Sequence, residues 1–239
     1  MKPLIATLAL IAPLAAAQVS VKPADLIIPV VGSTQGQSNA HFKTELQLAN
    51  PTASAMSGWL VLRPQQLARR YDLAPHTTLS FADVVADLGV TGLGSMDVLV
   101  DRGDLPTIVA RAYDDQPAGT TGVTVPAVRS GSILANGDRA ALIVPRDLVR
   151  YRFNIGVRAL ESGVSLTLIT RSAAGTERHR RIVSFPAHHF EQRPGDVFAE
   201  TPLLADDLIE IELTAGSAII YATTVDNVTN DSSIQVLTK

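Results

Sequence analysis

The sequence contains no cysteine, so disulfides cannot hold the chain together. A chain without them has to be stabilised by burying apolar surface. Hydrophobic residues make up 46% of the sequence, which is enough for a sizeable core. Aromatic residues are scarce at 5%, and Trp59 is the single tryptophan, so the usual stacking surface for sugars is sparse.

The sequence also lacks the short motifs of common enzymes. It has no G-x-S-x-G elbow, no H-E-x-x-H, no phosphate-binding P-loop and no G-x-G-x-x-G. Without cysteine there is no thiol nucleophile. These absences favour a binding or structural protein over an enzyme, and we predict no catalytic residue.

Neither charge nor long apolar runs indicate a nucleic acid or membrane partner. The formal net charge is −3, which gives no electrostatic case for nucleic acid or anionic lipid. No segment reaches the roughly 18 uninterrupted apolar residues of a transmembrane helix. We therefore expect no nucleic acid binding and no membrane insertion.

The first residues are typical of a secretory signal peptide. Lys2 precedes an apolar run over residues 4–14, and small residues over 15–17 come before the polar Gln18. This pattern predicts cleavage after Ala17 and export to a periplasm or the extracellular space.

Four passages of the first half recur in order in the second half. They are ADLIIPVVG (24–32) with AALIVPRDL (140–148), HFKTELQLAN (41–50) with RYRFNIGVRA (150–159), ARRYDLAPHTT (68–78) with HRRIVSFPAHH (179–189), and TIVARAYDD (107–115) with IIYATTVDN (219–227). The spacing of roughly 110 residues indicates duplicated domains rather than a solenoid. The alignment places Leu46 opposite Ile155, Asp114 opposite Asp226, and Arg69 and Arg70 opposite Arg180 and Arg181.

Within each copy, apolar and polar residues alternate, as in Glu45-Leu46-Gln47-Leu48 and in residues 209–213 and 233–237. Alternation between turn residues is typical of half-buried antiparallel strands. The prediction is an all-β fold of two tandem immunoglobulin-like antiparallel β-sandwiches with one short helix in the first. The predicted parts are a signal peptide (1–17), a first sandwich (18–125), a linker (126–138) and a second sandwich (139–239).

The predicted helix covers LSFADVVADLG (79–89). Phe81, Val84 and Leu88 have helical spacing, Ser80 and Asp83 form a capping box, and Gly89 supplies a stop. The equivalent RPGDVFAE of the second copy, with Pro194 and Gly195, is expected to form at most a turn. The linker is expected to run over the surface, with Ile133 and Leu134 able to dock on a sandwich.

The densest cluster of reactive side chains is HRRIVSFPAHH (179–189). In a strand His188 and His189 would point to opposite faces, which suits chelation of one metal poorly. The arginines recur in both copies and fit an edge strand that resists aggregation. The alternative is contact with an anion or glycan, for which the interaction candidates are Arg178, Arg180 and Arg181, together with His179.

Three further loops, two acidic turns and one polar loop, are candidate sites. Acidic turns offer oxygen ligands for calcium, although neither has the spacing of a calcium loop, and Asp is an ordinary turn residue. The weak calcium candidates are Asp114, Asp115, Asp226 and Asp231, and no other cofactor is predicted. The polar loop GSTQGQSNAH (32–41) is an insertion that the second copy lacks, and loops of this kind either bind partners or collect neutral insertions. Its interaction candidates are Gln35, Gln37, Asn39 and His41.

The passages GSTQGQSNAHFKTELQLANPT and RYRFNIGVRALESG carry an N-P turn and an R-x-N-x-G strand start. In these features the chain resembles tandem immunoglobulin-like regions of uncharacterised exported bacterial proteins. The resemblance implies an exported β-sandwich protein and leaves function open. The first copy departs from the pattern, with Lys43 and Glu45 where the second has Arg152 and Asn154.

These observations lead to one expected function and two alternatives. We expect a non-catalytic exported protein that acts by interaction with an exported protein or a surface glycan. The first alternative is a carbohydrate-binding or glycan-hydrolysing module with carboxylates in its end loops. The second is a protein like the periplasmic pilus chaperones, although TTGVTVPAV lacks their long alternating strand before the linker.

Overall fold

The protein is described by a computed structural model that covers residues 22–36, 40–117 and 119–239. The predicted signal peptide, residues 1–17, lies outside the described residues. All strand pairings in the described part are antiparallel, and the strands form two sheets, which confirms the predicted all-β fold. Across these same residues, no helix has the length and apolar character needed to cross a membrane.

The first sheet has nine strands and forms the first sandwich. They are β1 (Leu26–Gln35), β2 (His41–Ala49), β3 (Met56–Arg63), β4 (Leu67–Leu73), β5 (Thr78–Phe81), β6 (Gly92–Arg102), β7 (Thr107–Gln116), β8 (Gly119–Val125) and β9 (Val128–Arg129). Their order is β4-β3-β6-β1-β2-β7-β8, with β5 on β2 and β9 on β1. Leu60 and Val98 from one layer share a core with Leu46 and Ala110 from the other.

The second sheet has seven strands and forms the second sandwich. They are β10 (Leu134–Ala135), β11 (Arg139–Ile143), β12 (Tyr151–Arg171), β13 (Glu177–Phe185), β14 (Phe190–Pro194), β15 (Leu208–Asp226) and β16 (Ser232–Leu237). A short helix, α1 (Gly195–Ala199), lies between β14 and β15.

Strands β12 and β15 are long because each belongs to both layers of the second sandwich. Their pairing is interrupted between Ala159 and Val164, where the ribbon bends. Gly163 and Gly216 meet at this bend, each with φ of +70°, a conformation that glycine adopts without strain. The two halves of the folded ribbon enclose a core that includes Ile155, Leu166 and Ile211.

The strand pairings of the first sandwich recur in the second. The pairings β2–β7 and β3–β6 correspond to the two halves of the β12–β15 pairing. In the same way β3–β4 corresponds to β12–β13, β2–β5 to β12–β14, β1–β6 to β11–β15, and β7–β8 to β15–β16. Leu46 lies opposite Ala110 as Ile155 lies opposite Ala222, which agrees with the alignment of the two copies.

The alignment of the two arginine pairs was wrong by one residue. In β4 the inward residues Tyr71 and Leu73 are followed by Pro75, whereas in β13 the inward Phe185 directly precedes Pro186. Because side chains alternate between faces, Arg69 corresponds to Arg181. Each of these two arginines lies over an aromatic ring at the end of its sandwich, Arg69 over Phe81 and Arg181 over Phe198.

Among the described residues, one short α-helix occurs, and it lies in the second sandwich. Its predicted position in the first was wrong, as was the expectation that RPGDVFAE forms at most a turn. Residues 78–81 instead form β5, because Phe81 enters the core opposite Leu46. Only one 3₁₀ turn remains, Ala86–Leu88, which ends at Gly89 with φ of +77°. In the second sandwich Pro194 precedes α1, where its missing N–H is harmless, and Phe198 anchors the helix in the core.

The predicted linker is tied to both sandwiches. Its strand β9 pairs with β1, and β10 pairs with β15. Ile133, just before β10, and Leu134, its first residue, are buried, with 5% and 1% of their surfaces exposed. The connection therefore fixes one sandwich close to the other.

The outer face of the second sandwich packs against the first. Ile219 joins Val61 and Leu99 in an apolar cluster between the sandwiches, and Tyr221 packs against the core of the first sandwich. Burial raises the pKa of the Tyr221 hydroxyl well above its ordinary value. The hydroxyl donates a hydrogen bond to Gln192 Oε1 at 3.0 Å.

A buried ion pair crosses this interface. Arg158 on β12 donates from one terminal nitrogen to both oxygens of Asp97 on β6, at 3.0 and 3.1 Å, and its other terminal nitrogen donates to the Ala159 carbonyl. Arg63 Nε donates to the same carboxylate at 2.8 Å. Arg158 and Asp97 are 0% and 1% exposed, so loss of the carboxylate would leave a cation buried without its partner.

Replacing Asp97 should therefore destabilise the protein strongly. We expect Asp97→Ala to lower the free energy of unfolding by about 3–5 kcal/mol, the usual effect of breaking a buried ion pair. The measurement is urea unfolding of the chain without the predicted signal peptide, residues 18–239. The control is Asp72→Ala, which removes the exposed pair with Arg70 and should cost at most about 1 kcal/mol. Equal losses for the two variants would contradict the role given to Asp97.

Candidate functional site

A cavity of about 260 Å³ lies between the two sandwiches, and we call it the central cavity. The wall from the first sandwich is mostly apolar, and the wall from the second is mostly polar. The first wall includes Val30, Phe42, Ala112 and Val123, and the second includes Arg152, Asn154, Gln192 and Thr223. An apolar pocket with a few polar groups on one side is the usual form of a small-molecule site.

Strand alternation explains the polar wall. On β12, Phe153 and Ile155 point into the core of the second sandwich, so Arg152 and Asn154 point to the outer face that meets the cavity. Thr223 lies opposite Asn154 on β15, and Asn154 Nδ2 donates to the Thr223 hydroxyl at 3.4 Å.

Two cations line the cavity, one from each copy. Lys43 and Arg152 occupy equivalent positions in the repeat. Lys43 Nζ lies 2.6 Å from Asp115 Oδ2, and this hydrogen bond raises the pKa of the lysine and lowers that of Asp115. Arg152 instead donates to two amide oxygens, Asn227 Oδ1 at 3.3 Å and Asn230 Oδ1 at 2.8 Å.

Asp114 joins the sandwiches beside the cavity. It is fully buried, and its carboxylate accepts hydrogen bonds from the backbone N–H of His41 at 2.7 Å and from Asn230 Nδ2 at 3.1 Å. Asn230 comes from the turn after β15, so this carboxylate connects a loop of the first sandwich to a turn of the second. Its two oxygens are occupied within the fold.

Asp226 organises the turn that carries Asn230. It accepts hydrogen bonds from the backbone N–H groups of Val228 and Thr229 and from Arg150 Nε at 2.9 Å. The bond from Val228, followed by those from Arg150 and Thr229, lowers the pKa of Asp226 to about 2. Asp231 accepts a hydrogen bond from the backbone of Ser232 in the same turn.

The calcium candidates do not form a single ligand group. No group of three or more His, Asp or Glu suited to a metal ion occurs within residues 22–36, 40–117 and 119–239. Asp115 bonds to Lys43, Asp114 accepts from His41 and Asn230, and Asp226 accepts from the backbone of Val228 and Thr229. Calcium binding at these residues remains the weak alternative that the sequence offered, and no cofactor remains the prediction.

The three arginines of β13, Arg178, Arg180 and Arg181, bind carboxylates of their own sandwich. Strand β13 is an edge strand, as expected. Its side chains make these contacts: Arg178 with Asp207 and the Pro202 carbonyl, Arg180 with Glu177, and Arg181 with Glu200 and the Phe198 carbonyl. The contacts of Arg178 and Arg181 tie the edge strand to the segment that contains α1, whereas Arg180 and Glu177 pair within β13.

The prediction that His188 and His189 lie in a strand was wrong. They form the corner between β13 and β14, where His188 has φ of +59°. His189 stacks on Phe185 with ring centroids 4.9 Å apart. Burial, followed by the neighbouring Arg63 and Arg158, lowers the pKa of His188. The corner forms because Pro186 ends the strand and has no N–H to continue it.

The polar loop reaches the central cavity. Gln35 lines the cavity, and the backbone of His41 is held by Asp114. Gln37 and Asn39 lie outside the described residues. Sequence reasoning thus identified the loop at the cavity but missed the opposite wall. The nearest signal is SAIIYA (217–222), which directly precedes the lining residue Thr223. This apolar run without alternation indicates a strand buried on both faces.

No family model matches the chain, and no curated protein matches it at a significant level. The resemblance to tandem immunoglobulin-like regions therefore remains a prediction.

The low pKa of Asp226 predicts a specific acid sensitivity. Its ordinary value is 3.8 and its folded value about 2, so its ionised form stabilises the fold above about pH 4, and this contribution is lost as the pH falls towards 2. We expect Asp226→Asn to lower the melting temperature at pH 7, with a difference from the parent that shrinks below pH 4. The exposed Asp104→Asn serves as the control, and a pH-independent difference for Asp226→Asn would contradict this assignment.

Calcium should not stabilise the fold through the acidic turns. The carboxylates of Asp114 and Asp226 already accept N–H donors, so a calcium ion would have to displace these bonds. We expect melting temperatures in chelator and in millimolar calcium to agree within a degree or two. A site filled at a hundred times its dissociation constant would add about 2.7 kcal/mol, so a rise of several degrees would establish calcium binding.

Proposed function

We propose that this chain is a non-catalytic exported protein that works by binding a partner at the central cavity and its adjacent loop. The partner is an exported protein or a surface polymer. The carrying observation is that Gln35 and Gly36, from the insertion unique to the first copy, line a cavity whose other wall comes from the second copy. A site assembled from both copies is lost if either is removed.

Two properties of the cavity support binding rather than glycan hydrolysis. Its carboxylate neighbours Asp114 and Asp115 are engaged in internal hydrogen bonds, so they are poorly placed to serve as an acid and base pair. Its only aromatic lining residue among those described is Phe42. Trp59, the one tryptophan, packs against the cluster between the sandwiches.

Filling the cavity should abolish binding without unfolding the protein. Ala112 lines the first wall and Thr223 the second, so Ala112→Leu and Thr223→Leu introduce bulk from opposite sides. Val109→Leu is the matched control, because Val109 is 48% exposed and points to the other face of β7. All variants are first compared by thermal unfolding, so that only folded proteins are scored.

The binding measurement uses immobilised mature chain, residues 18–239, with extract of its own cell envelope. We expect the parent and Val109→Leu to retain the same discrete component, identified by mass spectrometry or glycan analysis, and both cavity variants to lose it. Retention of that component by both cavity variants would show that binding occurs elsewhere. Hydrolysis of a glycan panel by the parent chain would replace the proposal with the enzymatic alternative.

A further inference from the structure

The two copies differ at the position that neutralises the cavity cation. Lys43 has Asp115 as its partner, and the repeat equivalents of these residues are Arg152 and Asn227. The carboxylate of the first copy is thus an amide in the second. No carboxylate lies within 4 Å of the Arg152 guanidinium among the residues that the structure describes.

Arg152 is nevertheless partly buried, so its positive charge is partly desolvated. Burial lowers its pKa, while the more distant Asp114 and Asp226 oppose that shift. A guanidinium carries five N–H groups and remains charged in proteins. Two of its nitrogens donate to Asn227 and Asn230, which orient the side chain and leave further N–H groups for another acceptor. A carboxylate matches the planar guanidinium geometry best.

The rest of the cavity fits an apolar body. Val30, Phe42, Ala112 and Val123 line the wall that faces the polar one. In other proteins an apolar cavity of about 150 Å³ binds benzene. A volume of about 260 Å³ therefore has room for a medium-length hydrocarbon chain or a substituted ring.

We infer that the central cavity binds a small organic acid, a monocarboxylate with an apolar body, and that Arg152 holds the carboxylate. Asn154 and Thr223 lie on the same polar wall and supply further hydrogen-bonding groups near the anion. The inference rests on the proposed function, since it names the ligand chemistry of the same site. Lys43 contributes no net charge to recognition because Asp115 neutralises it.

The test compares octanoate with octanamide, which has the same shape and no charge. Isothermal titration of the mature parent chain should show octanoate binding at least about tenfold more tightly, the usual effect of a charge-assisted hydrogen bond. Equal affinities, or no binding of octanoate, would overturn the inference without any mutation.

Two arginine variants locate the anion site. Arg152→Gln should weaken octanoate binding about tenfold or more and leave octanamide binding unchanged. Arg139→Gln removes the same charge from a side chain that is 75% exposed and paired with Glu212, and it should bind octanoate like the parent. Parent-like octanoate affinity in Arg152→Gln would overturn the role of Arg152.

The carboxylate that Arg152 binds could belong to a free acid or to the C-terminus of a protein. An acetylated tripeptide that ends in leucine distinguishes these two kinds of ligand. Tighter binding of octanoate supports the free acid, and tighter binding of the peptide overturns that identification. The outcomes also separate the two proposals. Loss of the captured partner in the cavity variants, without octanoate binding by the parent, leaves the proposed function and removes the acid. If the parent binds octanoate but the cavity variants still capture the partner, the acid site stands and the proposed function is removed.

Discussion

The structure depends on burial of the outer face of the second sandwich against the first. An isolated β-sandwich exposes both outer faces, but here Ile219 and Tyr221 are fully buried because the first sandwich covers them. The Asp97–Arg158 ion pair lies within the same contact. Since charges lose their hydration there, the pair has to remain intact, which favours one arrangement of the two sandwiches. The short connection through β9 and β10 also favours one arrangement of the two sandwiches, because each strand pairs with a different sandwich.

This contact also creates the central cavity. The contact is continuous where apolar side chains meet apolar side chains, and it opens where the polar residues of β12 face the apolar wall of the first sandwich. Asp114 and Asn230 bridge the sandwiches at this side, so the cavity has fixed walls. A preformed cavity reduces the ordering cost of binding, which is why it supports the proposed role better than the exposed edge strands do. Those edge strands have arginines engaged with their own carboxylates.

The two copies have similar frameworks, and differences between them supply the residues of the candidate site. Six strand pairings recur in both copies, but charged positions differ. Arg158 stands where the first copy has Ala49, and Asn227 stands where it has Asp115. The first change provides the ion pair between the sandwiches. After the second, Arg152 has no carboxylate within 4 Å in the described part of the chain. Such differences between copies mark interface and site residues, because residues needed only for the shared framework do not have to differ.

The sequence by itself determined the all-β class, the duplication and the polar loop that reaches the cavity, because alternation and turn residues act over a few neighbouring positions. Tertiary structure decided the rest. Residues 79–89 have helical spacing, but Phe81 pairs with β2 in a strand. A strand was expected at His188, but the chain forms a corner there after Pro186. The partners of Arg152 and Arg158 come from distant segments, joined only when one sandwich covers the other. Local pattern shows which face of a strand is apolar, but the sequence does not show which distant face will cover it.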